Sequence, residues 1–461
     1  MSSYARGAMP SASKARPVGH TRSRGLPMSR RGDRAIVGGA GMGGLLAARV
    51  LSEFYDTVTV VERDKLSDTI APRRGVPQGR HFHVLWSRGS RELGNLFPGL
   101  HDDLVAAGAT VCDDGGLAQV SIRVAGHEYN RTGKFSDPTS VIIHLLSRPL
   151  LESQIRRRVA AIPNVEFLDG HDVVEPIAAQ PQQVTGALVV NRDTGVEQTL
   201  DADLVVDAMG RSARTPAFLD HKGYGRPPVE RSLANATYSS QLMRIPAGAI
   251  AEKMTFVIPE RERQTGGAFS VYEHDTWIFT VARLAGHEPP DNLTDMFQLA
   301  EQFAPPAVVR ALHQGEPVGE VAVFRYPGGT WRRYDKLPRF PAGFLVFGDA
   351  ICSTNPIYGQ GMTVAALEAA SLRECLLEAD GDLSRRFFDA AAQHVGPLWA
   401  SNQFNDMYMA NGNGQQSIPQ ELLDFREEVL TAAEDSAALT EQLFRAMNLI
   451  DPPTDYSPLL R

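Results

Sequence analysis

The chain has little cysteine, and what it has is scattered. Its three cysteines, Cys112, Cys352 and Cys375, lie far apart and without paired spacing in a sequence of 461 residues. This spacing favours neither a disulfide framework nor a zinc site. It indicates a reducing, cytoplasmic setting.

Long apolar segments are also missing. No uninterrupted apolar run approaches the roughly 18 to 20 residues that a membrane span needs. We therefore expect no membrane span, and any membrane contact to be peripheral.

Acidic residues are absent from the first 32 positions, which contain seven basic ones. The formal charge of −8 therefore leaves −15 on the rest of the chain, and an acidic body argues against a nucleic-acid role. The leader 1–32 is rich in Arg, Ser, Gly and Pro without helical periodicity, so it is predicted to be disordered. It weakly resembles a transit peptide, and Met28 offers an alternative translation start.

The stretch from Gly343 to Met362 carries the most information. Four consecutive apolar residues, 344–347, predict a buried strand, and Asp349 follows where open α/β sheets bind ligands. After Pro356 and a glycine-rich turn, apolar residues recur three or four apart, which predicts a helix. The backbone N–H groups at its start are expected to face an anion, or a ring that becomes anionic on reduction.

A second glycine-rich turn lies near the start of the ordered sequence. Gly39, Gly41 and Gly44 match the GxGxxG spacing between a predicted strand and helix. A further strand ends in Glu62, 23 residues after Gly39, near the place expected for a ribose-binding acid. The pattern predicts dinucleotide binding. Because an acid repels a 2′-phosphate, FAD or NAD fits better than NADP.

Basic residues follow in the segment 72–89. Arg73 and Arg74 are predicted to reach the pyrophosphate of a dinucleotide held by the first glycine loop. His81 and His83 suggest a metal pair, but residues two apart on a strand share a face simply by period. We favour packing or hydrogen-bonding roles for both.

Two more predicted elements present charged residues. Arg148 begins a helix, where the dipole disfavours a cation, so a phosphate partner is predicted; a solvated arginine is the alternative. A buried strand ends in Asp207, with Gly210 and Arg214 behind it.

From about 225 to 330 the pattern changes to antiparallel strands, interrupted by one helical stretch at 293–303. We expect this sheet to contact substrate, with some of its aromatic residues in the core and the rest around an apolar cavity. Those aromatic residues are Phe256, Phe269, Tyr272, Trp277, Phe279, Phe324 and Tyr326. The tail from 381 is predicted to be mostly helical.

In this order, the motifs resemble the FAD-dependent aromatic hydroxylase fold, the class A flavoprotein monooxygenases typified by p-hydroxybenzoate hydroxylase. Three segments, GVPQGRHFHVLWSRG, DLVVDAMGR and NPIYGQGMTVAALEA, are most similar to flavin-dependent epoxidases of polyether biosynthesis and to related FAD-dependent oxidoreductases. The resemblance implies an α/β fold: a Rossmann-like FAD-binding domain, an inserted antiparallel β-sheet substrate domain and a helical C-terminal region. The predicted division is a leader at 1–32, FAD-binding segments at 33–115, 141–224 and 333–380, substrate-domain segments at 116–140 and 225–332, and the helical region at 381–461.

Residue by residue, the resemblance implies an ADP-binding glycine loop, a ribose acid at Glu62, a ribityl-binding acid at Asp349 and a helix start against the flavin pyrimidine. It implies neither a metal nor a catalytic base. The implied cofactor-binding residues are Gly39, Gly41, Gly44, Glu62, Arg63, Arg73, Gly75, Val76, Arg148, Val173, Asp207, Gly348, Asp349, Pro356, Gly359, Gln360, Gly361 and Met362.

The implied activity is a monooxygenase that inserts one oxygen atom from O2 into an apolar alkene or aromatic substrate, through a flavin C4a-hydroperoxide. The family's middle motif commonly reads DGxxSxxR, but here Ala208 follows Asp207 and Ser212 is displaced by one, with Arg214 in place. Direct reduction by NAD(P)H is therefore in doubt, and a separate flavin reductase is the other electron source.

Three rival interpretations share the fold. A reductase of prenyl double bonds would carry YxWxFP, whereas the nearest segment, 272–279, lacks the proline. A flavin halogenase would carry WxWxIP, which is absent. A prenyl-binding escort protein without catalysis would not require the intact glycine loop, Glu62 and Asp349.

Overall fold

A computed structural model describes residues 30–178, 182–232, 234–378, 381–409 and 418–452. The leader predicted over 1–32 therefore lies outside the described residues except for its last three positions. The final segment 453–461 also lies outside them.

The described chain alternates strands and helices in its first half and ends in helices. The strands are β1 (Gly32–Gly38), β2 (Tyr55–Glu62), β3 (Thr110–Cys112), β4 (Val120–Val124), β5 (His127–Glu128), β6 (Ile143–Leu145), β7 (Val165–Asp169), β8 (His171–Ile177), β9 (Gly186–Asn191), β10 (Glu197–Asp201), β11 (Leu204–Asp207), β12 (Val229–Arg231), β13 (Ala236–Arg244), β14 (Met254–Val257), β15 (Thr265–Val271), β16 (Thr276–Arg283), β17 (Glu316–Tyr326), β18 (Thr330–Arg332), β19 (Phe344–Val346) and β20 (Cys352–Ser353). The helices are α1 (Met42–Leu51), α2 (Ser87–Leu96), α3 (Leu100–Ala106), α4 (Arg148–Ala160), α5 (Thr215–His221), α6 (Leu293–Ala300), α7 (Pro306–Gln314), α8 (Gly361–Leu377), α9 (Leu383–Met409), α10 (Gln420–Asp435) and α11 (Ala437–Met447).

A five-stranded parallel sheet, in the order β19-β11-β1-β2-β7, forms the nucleotide-binding half. Its strands are short apolar runs, and the core that they form with α1, α4 and α8 is the largest of the molecule. Parallel strands end at the same edge of a sheet. The predicted strands that lead to Gly39, Glu62, Asp207 and Asp349 are confirmed, and all four residues lie at that edge.

A seven-stranded sheet, in the order β17-β13-β16-β15-β14-β4-β5, forms the other half. Its strands are antiparallel except β14 and β4, which run parallel. β4 and β5 come from the predicted substrate-domain segment at 116–140, so two remote segments build one sheet. The division of the chain into domains remains a prediction.

The prediction of a single helix within this region was wrong, because α6 is followed by α7. The pair Pro305–Pro306 resembles a helix breaker in the sequence. Proline is nevertheless tolerated in the first turn of a helix, and Pro306 begins α7. Val308, Ala311 and Leu312 then bury the apolar side of α7.

The predicted helical tail is confirmed by α9, α10 and α11. Val429 and Leu430 of α10 and Phe444 of α11 join the core cluster that contains Ile122 and Phe256 of the seven-stranded sheet. The last two helices therefore cover one face of this sheet. Among the described residues, no helix is both long enough and apolar enough to cross a membrane.

Candidate active site

One cavity of about 1120 Å³ extends from the carboxyl edge of the parallel sheet to the seven-stranded sheet. A pocket for one drug-sized molecule typically measures roughly 300 to 1,000 Å³. The cavity therefore has room for a large cofactor with space beside it.

The predicted cofactor-binding residues converge on this cavity. Glu62, Arg148 and Asp349, which come from three remote segments, all line it. Their contact with a cofactor remains a prediction. The other predicted residues that line the cavity are Gly39, Gly41, Arg63, Arg73, Gly75, Val76, Val173, Asp207, Gly348, Pro356, Gly359, Gln360, Gly361 and Met362.

The glycines of the first loop have different surroundings. Gly39 has φ +98°, which favours glycine, and its N–H donates to Val61 O over 2.7 Å. Gly44 does not line the cavity; a Cβ there would lie 1.8 Å from Gly39 O, so the glycine allows α1 to pack closely. At Gly41 a Cβ would meet no heavy atom of the described residues within 4 Å. This open space at the start of α1 fits the pyrophosphate of a dinucleotide.

Glu62 is held by backbone donors at the end of β2. Its Oε2 accepts from Ala40 N over 2.7 Å, and its Oε1 accepts from Asp64 N over 2.9 Å. The side chain is buried but borders the cavity. A carboxylate fixed in this way is suited to accept hydrogen bonds from ribose hydroxyls.

Arg73 and Arg148 form ion pairs with carboxylates, and their predicted phosphate contact remains a prediction. Arg73 Nε donates to Glu152 Oε1 over 2.7 Å, and its Nη1 lies 3.1 Å from Glu62 Oε2. Burial opposes the charge of Arg73, but Glu152 and Glu62 outweigh that effect, so the pKa of Arg73 is raised. Arg148 Nη2 donates to Glu152 Oε2 over 3.2 Å.

Glu152 was missed in the sequence. The available signal was its position four residues after Arg148, the spacing at which two side chains of a helix meet.

Asp349 follows β19, the outermost strand of the parallel sheet, and lines the cavity, which leaves part of its surface exposed. Burial raises its pKa, and the positive charges of Arg148 and Arg211 oppose that shift. A Cβ on Gly361 would lie 3.9 Å from Asp349 Oδ1, so the start of α8 is close to the carboxylate. This is the strand, acid and helix arrangement that the sequence predicts.

Arg211 is a second residue that the sequence analysis missed. Its guanidinium carbon lies 4.6 Å from the centre of the Tyr326 ring, and its Nη2 donates to Gly328 O over 2.9 Å. Both side chains line the cavity. Arg214, which the motif comparison favoured, also lines the cavity but is exposed.

The carboxylate of Asp207 accepts hydrogen bonds from the residues that follow it in the chain. It accepts from Met209 N over 3.0 Å and from the Thr215 hydroxyl. Burial raises its pKa, although these hydrogen bonds and Arg332 act in the opposite direction.

The seven-stranded sheet contributes an uncharged surface to the cavity. None of the lining residues supplied by its described strands is charged: Tyr238, Phe256, Val257, Gly267, Ala268, Thr280, Ala282, Phe324 and Tyr326. The prediction that only some of the sheet aromatics border a cavity is confirmed, since Phe269 and Phe279 pack in a separate core.

The two histidines adjoin this uncharged region. His81 Nδ1 lies 2.9 Å from Ser240 Oγ, which lies 2.7 Å from Thr280 Oγ1. The ring Nδ1 of His83 lies 3.0 Å from His81 O, and the backbone N–H of His83 donates to the Tyr272 hydroxyl over 2.7 Å. Burial lowers the pKa of His81 to about 4 and that of His83 to about 3, so both are neutral at pH 7. The predicted hydrogen-bonding role is confirmed.

The chain is similar to known proteins over most of its length. No protein-family model matches the chain. It is 38% identical over 434 residues to Protein Rv3254 of Mycobacterium tuberculosis, covering 91% of this chain and 90% of that protein. It is 27% identical over 375 residues to kynurenine 3-monooxygenase of Salinispora tropica, covering 76% of this chain and 74% of that protein.

The fold is similar to that of p-nitrophenol 4-monooxygenase PnpA from Pseudomonas putida DLL-E4. The TM-score is 0.62 at 17% identity, with 92% of this chain and 100% of that chain covered. These similarities show that the chain belongs to one family with Protein Rv3254 and has the fold of flavin-dependent monooxygenases such as PnpA, with the glycine loop, the acids and the helix start gathered around one cavity.

Proposed function

We propose that the protein transfers one oxygen atom from dioxygen to an uncharged, apolar alkene or aromatic substrate, by epoxidation or hydroxylation. The observation that supports this most directly is the continuity of the cavity. It joins Glu62 and Asp349, at the edge of the parallel sheet, to the uncharged surface of the seven-stranded sheet. A cofactor and a substrate bound at these two ends would share one water-poor space.

The residues fit FAD along its length. Gly41 leaves space for the pyrophosphate, Glu62 offers oxygens to the adenosine ribose, and Asp349 offers oxygens to the ribityl hydroxyls. The backbone N–H groups and the positive end of the dipole at the start of α8 would stabilise the negative charge that reduction adds to a bound flavin. When bound, FAD supplies the activation of dioxygen.

The sheet side of the cavity determines which substrates fit. A buried charge without a partner is costly, and the sheet offers hydroxyl groups and aromatic rings but no ion partner from its lining residues in the described chain. Kynurenine, named for the Salinispora relatives, carries a charged amino-acid group. We therefore propose a neutral substrate in its place.

The middle motif, residues 207–214, bears on which molecule reduces the flavin. Asp207 bonds its own turn through Met209 and Thr215, and Ala208 replaces the glycine of the commoner motif. We propose that electrons come from NAD(P)H or, given this departure, from a separate flavin reductase.

The test is oxygen transfer by the FAD-loaded protein under ¹⁸O₂. It is supplied with NADH, NADPH or a flavin reductase and offered polyenes, terpenoids, phenols and L-kynurenine. We expect one ¹⁸O atom in a neutral product and no turnover of L-kynurenine. Saturation of a double bond without label would indicate a prenyl reductase. A colourless protein that takes up no FAD would indicate an escort protein.

A further inference from the structure

Glu152 lies between Arg73 and Arg148, two of the arginines that line the cavity. It is 4% exposed, and each of its two oxygens accepts hydrogen bonds from a different arginine. Oε1 accepts from Arg73 Nε over 2.7 Å, while Oε2 accepts from Arg148 Nε over 3.3 Å and Nη2 over 3.2 Å. We propose that Glu152 is a positioning residue that holds both guanidinium groups in the orientation that FAD binding requires. This inference rests on the proposed function.

The bridge connects four segments of the chain. Arg73, oriented by Glu152, also donates from Nη2 to Ala40 O over 2.8 Å, within the glycine loop. Its Nη1 lies 3.1 Å from Asp64 Oδ2, and the same oxygen accepts from Gly75 N over 2.6 Å. The loop at 72–76, the end of β2, the glycine loop and α4 are thus joined through one guanidinium group.

Arg148 depends more on Glu152 than Arg73 does. Arg73 keeps Glu62 and Asp64 as ion-pair partners when Glu152 is removed. Arg148 is 7% exposed, and its ion pair in the described chain is with Glu152. Its charge also acts on Asp349. Loss of the bridge would therefore leave Arg148 without this partner and free to turn toward Asp349.

The negative charge of Glu152 and its role in positioning the two arginines would have opposite effects on FAD affinity. The network holds three carboxylates, Glu62, Asp64 and Glu152, against two guanidinium groups, Arg73 and Arg148. As a bare charge, Glu152 repels an anionic pyrophosphate, so its neutralisation would tighten FAD binding. As a positioning group it orients charged donors, and hydrogen bonds of charged donors are each worth roughly tenfold or more in affinity. We expect geometry to dominate.

The experiment is a fluorescence titration of apoprotein with FAD. Glu152→Gln keeps the side-chain volume and removes the charge, and we expect FAD binding about tenfold weaker or more. Glu152→Asp keeps the charge but retracts the carboxylate, and we expect a loss there too. Glu441→Gln is the matched control, because Glu441 is also buried and accepts from a backbone amide, Ser136 N, over 2.7 Å, outside the cavity.

A double-mutant cycle with Arg148→Met separates positioning from general destabilisation. If Glu152 acts through Arg148, Glu152→Gln costs less affinity in the Arg148→Met background than in wild type. Unchanged or tighter FAD binding by both Glu152 variants would overturn the inference while leaving the proposed function intact. Failure of the wild-type protein to bind FAD in the same titration would overturn both. Should Glu152→Gln not fold, Glu152→Asp decides the outcome.

Discussion

The backbone N–H of Gly348 donates a 2.6 Å hydrogen bond to Oε2 of Glu368, a side chain with no exposed surface. This bond ties α8 to the turn that carries Asp349. Burial is the main cause that raises the pKa of Glu368 to about 8, with the charge of Asp349 acting in the same direction and the Gly348 bond opposing it. Glu368 is therefore mostly protonated at neutral pH.

We predict that Glu368→Gln removes a pH dependence of stability. The folded pKa of Glu368 lies above its ordinary value of 4.5, so its contribution is complete below pH 4.5 and is lost as pH rises through about 8. The glutamine is neutral throughout. In denaturant unfolding, the variant and the wild type should have similar stabilities at pH 5. At pH 9 the variant should be more stable than the wild type by over about 1 kcal/mol. A constant difference between pH 5 and pH 9 would contradict the prediction.

We predict that His81→Phe removes a loss of stability that the wild type shows in acid. The folded pKa of His81, about 4, lies below its ordinary value of 6.5, so the unfolded chain takes up the proton first. The free energy of unfolding of the wild type should therefore fall as pH drops from 6.5 toward 4, and the variant should lack this component. The measurement is the difference between the two unfolding curves at pH 7 and pH 4.5. Parallel curves would show that His81 is not buried as described.

The two glycines Gly41 and Gly44 give a matched pair of alanine substitutions. Gly44→Ala places a Cβ 1.8 Å from Gly39 O, so we expect a loss of at least ~1–3 kcal/mol in unfolding free energy. Gly41→Ala places its Cβ in open cavity space, so we expect nearly unchanged stability but weaker FAD binding. Thermal unfolding and FAD titration of both apoproteins measure the two effects. Equal FAD affinity of Gly41→Ala and wild type would argue against a pyrophosphate at this turn.

Arg211→Met tests the second of the two cavity residues that the sequence did not indicate. The side chain lies over the Tyr326 ring and its charge acts on Asp349. Without that charge, we expect the pKa of Asp349 to rise further and FAD to be released at a higher pH during acidification. Fluorescence of released FAD, followed from pH 8 downward, measures this shift. Arg339→Met is the control, since Arg339 also lies over a tyrosine ring, that of Tyr224, but is not among the lining residues of the cavity in the described chain, and it should leave the release curve almost unchanged.

Local sequence patterns predicted the strand ends around the cavity because they combine short apolar runs with glycine and acid at fixed offsets. Asp349 and Glu62 could be found in this way. The bridge from Arg73 to Glu152 could not, because the partners are 79 positions apart and meet only through tertiary packing. For the same reason, the sequence did not indicate that β4 pairs with β14, or that α10 and α11 cover the seven-stranded sheet.

The most direct measurement is the FAD content of purified wild type and Asp349→Ala after gel filtration, with Asp349→Asn as the isosteric comparison. We predict one FAD per wild-type chain, none retained by Asp349→Ala, and an intermediate amount for Asp349→Asn, all in folded protein. Retention of FAD by Asp349→Ala at the wild-type level would contradict the claim that Glu62, Arg148 and Asp349 surround a single FAD.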